Sequence, residues 1–120
     1  MRTLLILTLF CLPMRAEITV KEYQKAIHSS DRTRADAMKL YVMGVGAGIA
    51  WANTAAEKNN APLYCQPPHF SMNGENYIDI LDKTIKMLES KTTAKERNEY
   101  SVGLLVLTGL QQSFPCQAAK

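Results

Sequence analysis

Apolar residues recur along this chain at three- and four-residue steps, interrupted by short polar stretches, a pattern that reads as helix from end to end. The most conspicuous stretch is residues 40–51, LYVMGVGAGIAW, which carries no charge and has glycine at three alternate positions. Each interior glycine weakens a helix by about 1 kcal/mol relative to alanine. The flanks decide: good helix formers precede the stretch, and alanine is frequent after it. The spacing predicts one long helix from about Thr33 to about Lys58. Ala37, Leu40, Tyr41, Gly44, Gly48, Trp51 and Ala55 share one of its faces. That face is expected to be the buried one, with glycine letting a neighbouring backbone approach. Two other readings fail. A dinucleotide-binding loop needs glycine where Ile49 stands and a strand before it. A membrane span needs about 20 apolar residues, more than residues 40–51 supply.

The remaining elements fall on either side. Residues 19–28, TVKEYQKAIH, form a short amphipathic helix with Val20, Tyr23 and Ile27 on one side and His28 at its end, where the helix dipole favours a cation. Ser29, Ser30 and Asp31 each suit the cap of the long helix. Asn59, Asn60 and Pro62 stop it. Residues 60–73, NAPLYCQPPHFSMN, are the one substantial loop, and a loop of that length in a small domain is often functional. Residues 76–90 give the clearest helix, with Ile78, Leu81, Ile85 and Leu88 as its apolar stripe. Asp79 with Lys83 and Asp82 with Lys86 have ion-pair spacing on the other side. After a polar turn at residues 90–93, Thr93 and Glu96 match a capping box. A last helix is expected from there to about Phe114, its half from Val102 to Leu110 buried on most sides and Pro115 ending it.

The first sixteen residues have the pattern of an export signal: Arg2, a leucine-rich run, Pro13, and Ala16 before an expected cut at Glu17. Residues 17–120 are then one domain with one core. Arg2 and Arg15 leave with the leader, so fourteen Lys plus Arg against eleven Asp plus Glu become a net charge near +1. That balance argues against a nucleic-acid partner, which favours a clustered basic face. Export also leaves two cysteines, Cys65 and Cys116. An even count in an oxidising compartment reads as one disulfide, worth about 4 kcal/mol on the chain-entropy model. Cys65 with His69 as half of a metal site has no second pair at ligand spacing. A Cys–His nucleophile pair is the remaining alternative. No nucleophile elbow or metal motif occurs. The expectation is an all-α compact bundle of about four helices, tied by Cys65–Cys116, with no catalytic residue, metal or cofactor, whose task is binding.

The mature chain resembles the Rap/Tai family, immunity proteins against type VI secretion amidases. The resemblance rests on Tyr41-Val42-Met43-Gly44-Val45 with Gly48, then Tyr64-Cys65-Gln66-Pro67, then Leu104-Leu105 through Phe114-Pro115-Cys116. It covers roughly residues 35–117. The double proline, His69 and Gly74 depart from that pattern. The resemblance implies a periplasmic, all-helical, disulfide-tied homodimer that inhibits an NlpC/P60-like amidase by placing a protruding part in its active-site cleft. The expected effector-binding residues are Ser90, Lys91, Thr92 and Thr93 in the short turn, or else Gln66, His69 and Phe70 in the stapled loop. Gly44 and Gly48 are candidates for the dimer seam, although close packing within the monomer would use them equally well. A periplasmic holdase that binds unfolded clients is the alternative.

Overall fold

The computed structural model describes residues 17–117, so the expected leader over residues 1–16 lies outside the described part. Five helices follow one another: α1 (Val20–Ile27), α2 (Arg32–Glu57), α3 (Gly74–Glu89), α4 (Ala94–Asn98) and α5 (Val102–Ser113). The domain is an all-α bundle closed by the Cys65–Cys116 disulfide, whose Cα atoms are 4.8 Å apart. α3 packs on both α2 and α5, which also touch each other, and α1 packs on α2. Among the described residues no helix is long and apolar enough to cross a membrane.

Local chemistry fixes the helix starts. Thr19 and Glu22 form a capping box on α1, and Thr93 and Glu96 form another on α4. In each the threonine hydroxyl accepts from the glutamate backbone, while the glutamate carboxylate accepts from the threonine N–H. These bonds to the backbone hold both glutamates below the usual carboxylate range. Asp31, of the three candidates, caps α2 through Thr33 N–H at 3.0 Å. Asn73 and Asn76 cap α3 reciprocally at 3.1 and 2.8 Å, so α3 starts at Gly74 rather than Asn76.

The last helical segment is two helices, not one. It breaks between Asn98 and Val102, and Ser101 caps α5 by accepting from Leu104 N–H at 3.1 Å. The chain ahead of α1 holds this break open. Val20 N–H donates to the Tyr100 carbonyl and Val102 N–H to the Ile18 carbonyl, both at 2.9 Å. Tertiary hydrogen bonds thus replace the helical ones that continuation would have made.

The core gathers Val20, Tyr23 and Ala26 of α1, Met38 and Val42 of α2, Tyr77, Leu81 and Ile85 of α3, and Val102, Leu105, Val106 and Leu110 of α5, with Tyr64 from the loop. Ile27, Ile78 and Leu88 are only half-buried. Leu104 stands half-exposed within the otherwise buried run of α5.

The buried face of α2 is not the expected one, of which only Tyr41 packs, half-buried, against the core. Met38, Val42, Gly46 and Asn53 face inward. Leu40 is 67% and Trp51 78% exposed, Ala37 and Ala55 are exposed, and a Cβ on Gly44 or Gly48 would meet nothing within 4 Å. Gly46 is the glycine that packing requires: a Cβ there would collide with the Tyr77 ring. With no charge from residue 40 to residue 56, apolar spacing fits both faces, and the neighbouring helix alone chooses between them.

The expected ion pairs on α3 are also absent. The one ion pair among the described residues is Lys39–Asp36 at 4.0 Å. Asp82 accepts instead from the Tyr23 hydroxyl at 2.8 Å. Burial, reinforced by this bond, pushes the Tyr23 phenol well above its ordinary range.

Candidate functional site

The loop between α2 and α3 is fixed at several points. Asn53, 5% exposed on α2, reaches into its start. The Asn53 amide oxygen accepts from Leu63 N–H at 2.7 Å and Tyr64 N–H at 3.2 Å, and its amide nitrogen donates to the Tyr64 carbonyl at 3.1 Å. Cys65 N–H donates to the Phe114 carbonyl at 2.8 Å beside the disulfide. Gln111 Nε2 adds a bond to the Leu63 carbonyl at 3.2 Å. The first half of the loop is therefore sewn to α2 and to the end of α5.

The second half presents the candidate residues. Phe70 N–H donates to the Pro67 carbonyl at 3.2 Å, closing a turn across Pro68 and His69. The Gln66 side-chain amide donates to the Phe70 carbonyl. His69 has φ 68°, a left-handed conformation that costs a side-chain-bearing residue energy unless its surroundings hold it. Phe70 leans on Phe114, ring centroids 5.5 Å apart and planes tilted by 49°, yet stays 47% exposed. Gln66, His69 and Phe70 thus come together, and a depression of about 360 Å³ lies between them, Ala50 of α2 and Tyr77 of α3. Burial raises the Tyr77 phenol above its ordinary range, as it does Tyr64.

The other candidate, the turn at residues 90–93, is also well held. Lys91 N–H and Thr92 N–H both donate to the Leu88 carbonyl, at 3.0 and 2.9 Å. The Thr92 hydroxyl donates to the same oxygen at 2.8 Å, and the Ser90 hydroxyl to the Met87 carbonyl at 3.2 Å. Arg97 donates from beneath to the Thr92 carbonyl at 3.5 Å. Ser90, Lys91 and Thr93 are exposed, but the turn offers no large apolar side chain. The two candidates sit at opposite ends of α3, about 24 Å apart for a sixteen-residue helix. They are separate surfaces.

Gly44 and Gly48 lie on the open face of α2. Between residues 40 and 55 its exposed positions are Leu40, Gly44, Ala47, Gly48, Trp51, Ala52, Thr54 and Ala55, all uncharged. Close packing within the monomer uses neither Gly44 nor Gly48. Among the described residues no group of three or more His, Cys, Asp or Glu side chains is placed to hold a metal ion.

Two residues in this arrangement escape a reading of helical periodicity, and a third is misplaced by it. Asn53 anchors the loop, and its only signal is a polar side chain in an alanine-rich helix. Phe114 supports Phe70, a pairing across the disulfide that no local spacing encodes. Trp51 is legible as important, but on the wrong face. Comparison of the chain with protein-family models, with characterised proteins and with solved structures finds no match.

Proposed function

We propose that this protein is a periplasmic immunity protein that binds a secreted peptidoglycan amidase of NlpC/P60 type and blocks its active-site cleft. The supporting observation is the preorganised loop at residues 66–73. It carries an exposed aromatic side chain and a histidine held left-handed, closed by the Phe70–Pro67 turn bond, the Gln66 amide and the Phe70–Phe114 contact, and it follows a first half fixed by the disulfide and the Asn53 bonds. A loop already fixed in its bound shape loses little entropy on binding. An exposed phenylalanine supplies large contact area when it enters a pocket. The task needs a rigid surface and no catalytic group. The resemblance in ordered motifs supplies the identity of the partner, and the disulfide fits an oxidising compartment.

The geometry favours the stapled loop over the turn at residues 90–93 as the occluding element, because only the loop offers an apolar anchor. A pull-down of the oxidised mature chain against periplasm-directed amidases tests the assignment. Phe70→Ala is expected to weaken capture at least tenfold, and Lys91→Glu to leave it within about twofold. The reverse order moves the inhibitory element to the turn, and no capture of any such amidase rejects the function. Thr93 is unsuitable for this comparison, since its loss also removes the α4 cap.

The open face of α2 is proposed as the homodimer seam. Leu40 and Trp51 flank a strip of glycine and alanine without charge, so two copies can bring these helices close. The same face would serve a holdase as a client surface. Suppression of aggregation of an unrelated unfolded protein distinguishes that reading from an inhibitor specific for one amidase.

A further inference from the structure

We propose that the groove between α3 and α5 is a binding site for a long-chain aliphatic carboxylate, its chain over Ile80 and Met87 and its head between the ammonium groups of Lys83 and Lys86. This goes beyond the amidase reading and does not depend on it. The groove is an open one of about 510 Å³, walled by Ile80, Thr84 and Met87 of α3, with Gly109 of α5 as part of its lining. That volume lies within the range of small-ligand sites.

Gly109 explains why the groove has this form. A Cβ there would collide with the Thr84 hydroxyl and the Ile80 side chain, so the two helices touch at this point and leave an apolar channel beside it. Met87 is 46% exposed along it, an unbranched and adaptable side chain suited to an alkyl chain. Lys83 and Lys86 line the same groove. Neither has a carboxylate within 4.0 Å, because the one ion pair among the described residues is Lys39–Asp36. Asp82, which spacing assigns to Lys86, is engaged by Tyr23. The lysine stems extend the apolar wall while their heads stay in water.

The polar inventory selects an aliphatic chain over a peptide. A peptide brings backbone N–H and C=O groups that must find partners once covered. The α3 wall is mid-helix, its backbone groups paired along Ile80, Thr84 and Met87, and the Thr84 hydroxyl already donates to the Ile80 carbonyl at 2.7 Å. Apart from the two ammonium groups, Gln112 and Ser113 are the polar side chains of the lining left to answer a peptide. An alkyl chain asks for nothing but contact. Asp79 stands in the smaller depression that continues past Ile80 and Lys83. It disfavours a carboxylate beyond Lys83, so the head stays on the Lys86 side of that residue, between the two ammonium groups.

The test is an NMR titration of the oxidised mature chain with sodium dodecanoate below its micelle concentration, with dodecyl maltoside monomer as the neutral analogue. The proposal expects saturable shifts at Ile80, Met87 and Gly109. It expects about fivefold weaker binding for the K83Q/K86Q variant and for the neutral analogue, the scale of two partly exposed ion pairs. Both lysines are exposed, so the variant should melt like the parent. Met87→Asp, which sets a like charge beside the head group, should weaken binding further. Four results would overturn the site: no shifts in the groove, equal affinity for the neutral analogue, shifts centred on Leu40 and Trp51 of α2, or tighter groove binding by an acetylated leucine–glutamate peptide.

Discussion

Asn53 grips Tyr64 by both of its backbone groups, accepting from its N–H at 3.2 Å and donating to its carbonyl at 3.1 Å. A single buried amide thereby converts the exit from α2 into a fixed platform for the disulfide that follows. Asn53→Ala strands the Leu63 N–H, the Tyr64 N–H and the Tyr64 carbonyl. The two Tyr64 groups are buried, and each buried polar group left alone costs about 1–3 kcal/mol, so the variant should lose about 3 kcal/mol in urea denaturation. A loss below about 1 kcal/mol would mean that water replaces the amide and that the platform is softer than described.

The three glycines of α2 should respond in opposite directions. Gly46→Ala drives a methyl into the Tyr77 ring and should cost about 1–3 kcal/mol through overpacking. Gly44→Ala and Gly48→Ala meet open space and should each stabilise the monomer by up to about 1 kcal/mol through helix propensity. Thermal melts of the three variants check the burial of α2 directly.

If the open face of α2 is the dimer seam, Gly48→Arg should leave the fold intact and shift the protein to monomer in analytical ultracentrifugation. A wild-type protein that sediments as a monomer at high micromolar concentration would remove the seam.

Tyr23 makes the fold sensitive to alkali. Its folded phenol titrates above the ordinary value of about 10, so the folded state retains a proton that the unfolded chain gives up. The stabilisation is complete below pH of about 10 and declines as pH rises toward the folded value. Tyr23→Phe should flatten this alkaline decline in unfolding free energy, while losing the hydrogen bond to Asp82. An unchanged slope in the variant would assign the alkaline sensitivity to Tyr64 and Tyr77.

The Cys65–Cys116 bond holds both the Phe70 loop and its Phe114 support. Replacing both cysteines with alanine should cost about 4 kcal/mol, the scale of a loop of some fifty residues. It should also weaken amidase capture beyond the effect of stability alone, measured well below the melting temperature. Full capture by the folded double variant would show that the loop needs no staple.

Much of the fold was legible because its signals are local. Thr93 with Glu96 gives α4 its box, Pro62 and Asn60 close α2, and the stripe through Leu81 and Ile85 marks α3. The break at Ser101 was not legible, because bonds from Ile18 and Val20, some eighty residues away in sequence, compensate it. The orientation of α2 was not legible either, since Leu40 and Trp51 are as apolar as Val42 and Ile49. The helices packed on it decide which side turns inward, the Tyr77 ring against Gly46 among their contacts. The stapled loop could be located from Cys65 and the two prolines. Its shape rests on Phe114 and Asn53, distant partners that periodicity does not relate.

The most direct measurement is digestion of purified peptidoglycan by a periplasm-directed amidase, titrated with the oxidised mature protein and with its Phe70→Ala variant. The account predicts that digestion stops near stoichiometric addition of the parent and continues at the same concentration of the variant. Digestion that proceeds at full rate in the presence of excess folded, disulfide-bonded parent, for every such amidase tried, would contradict it.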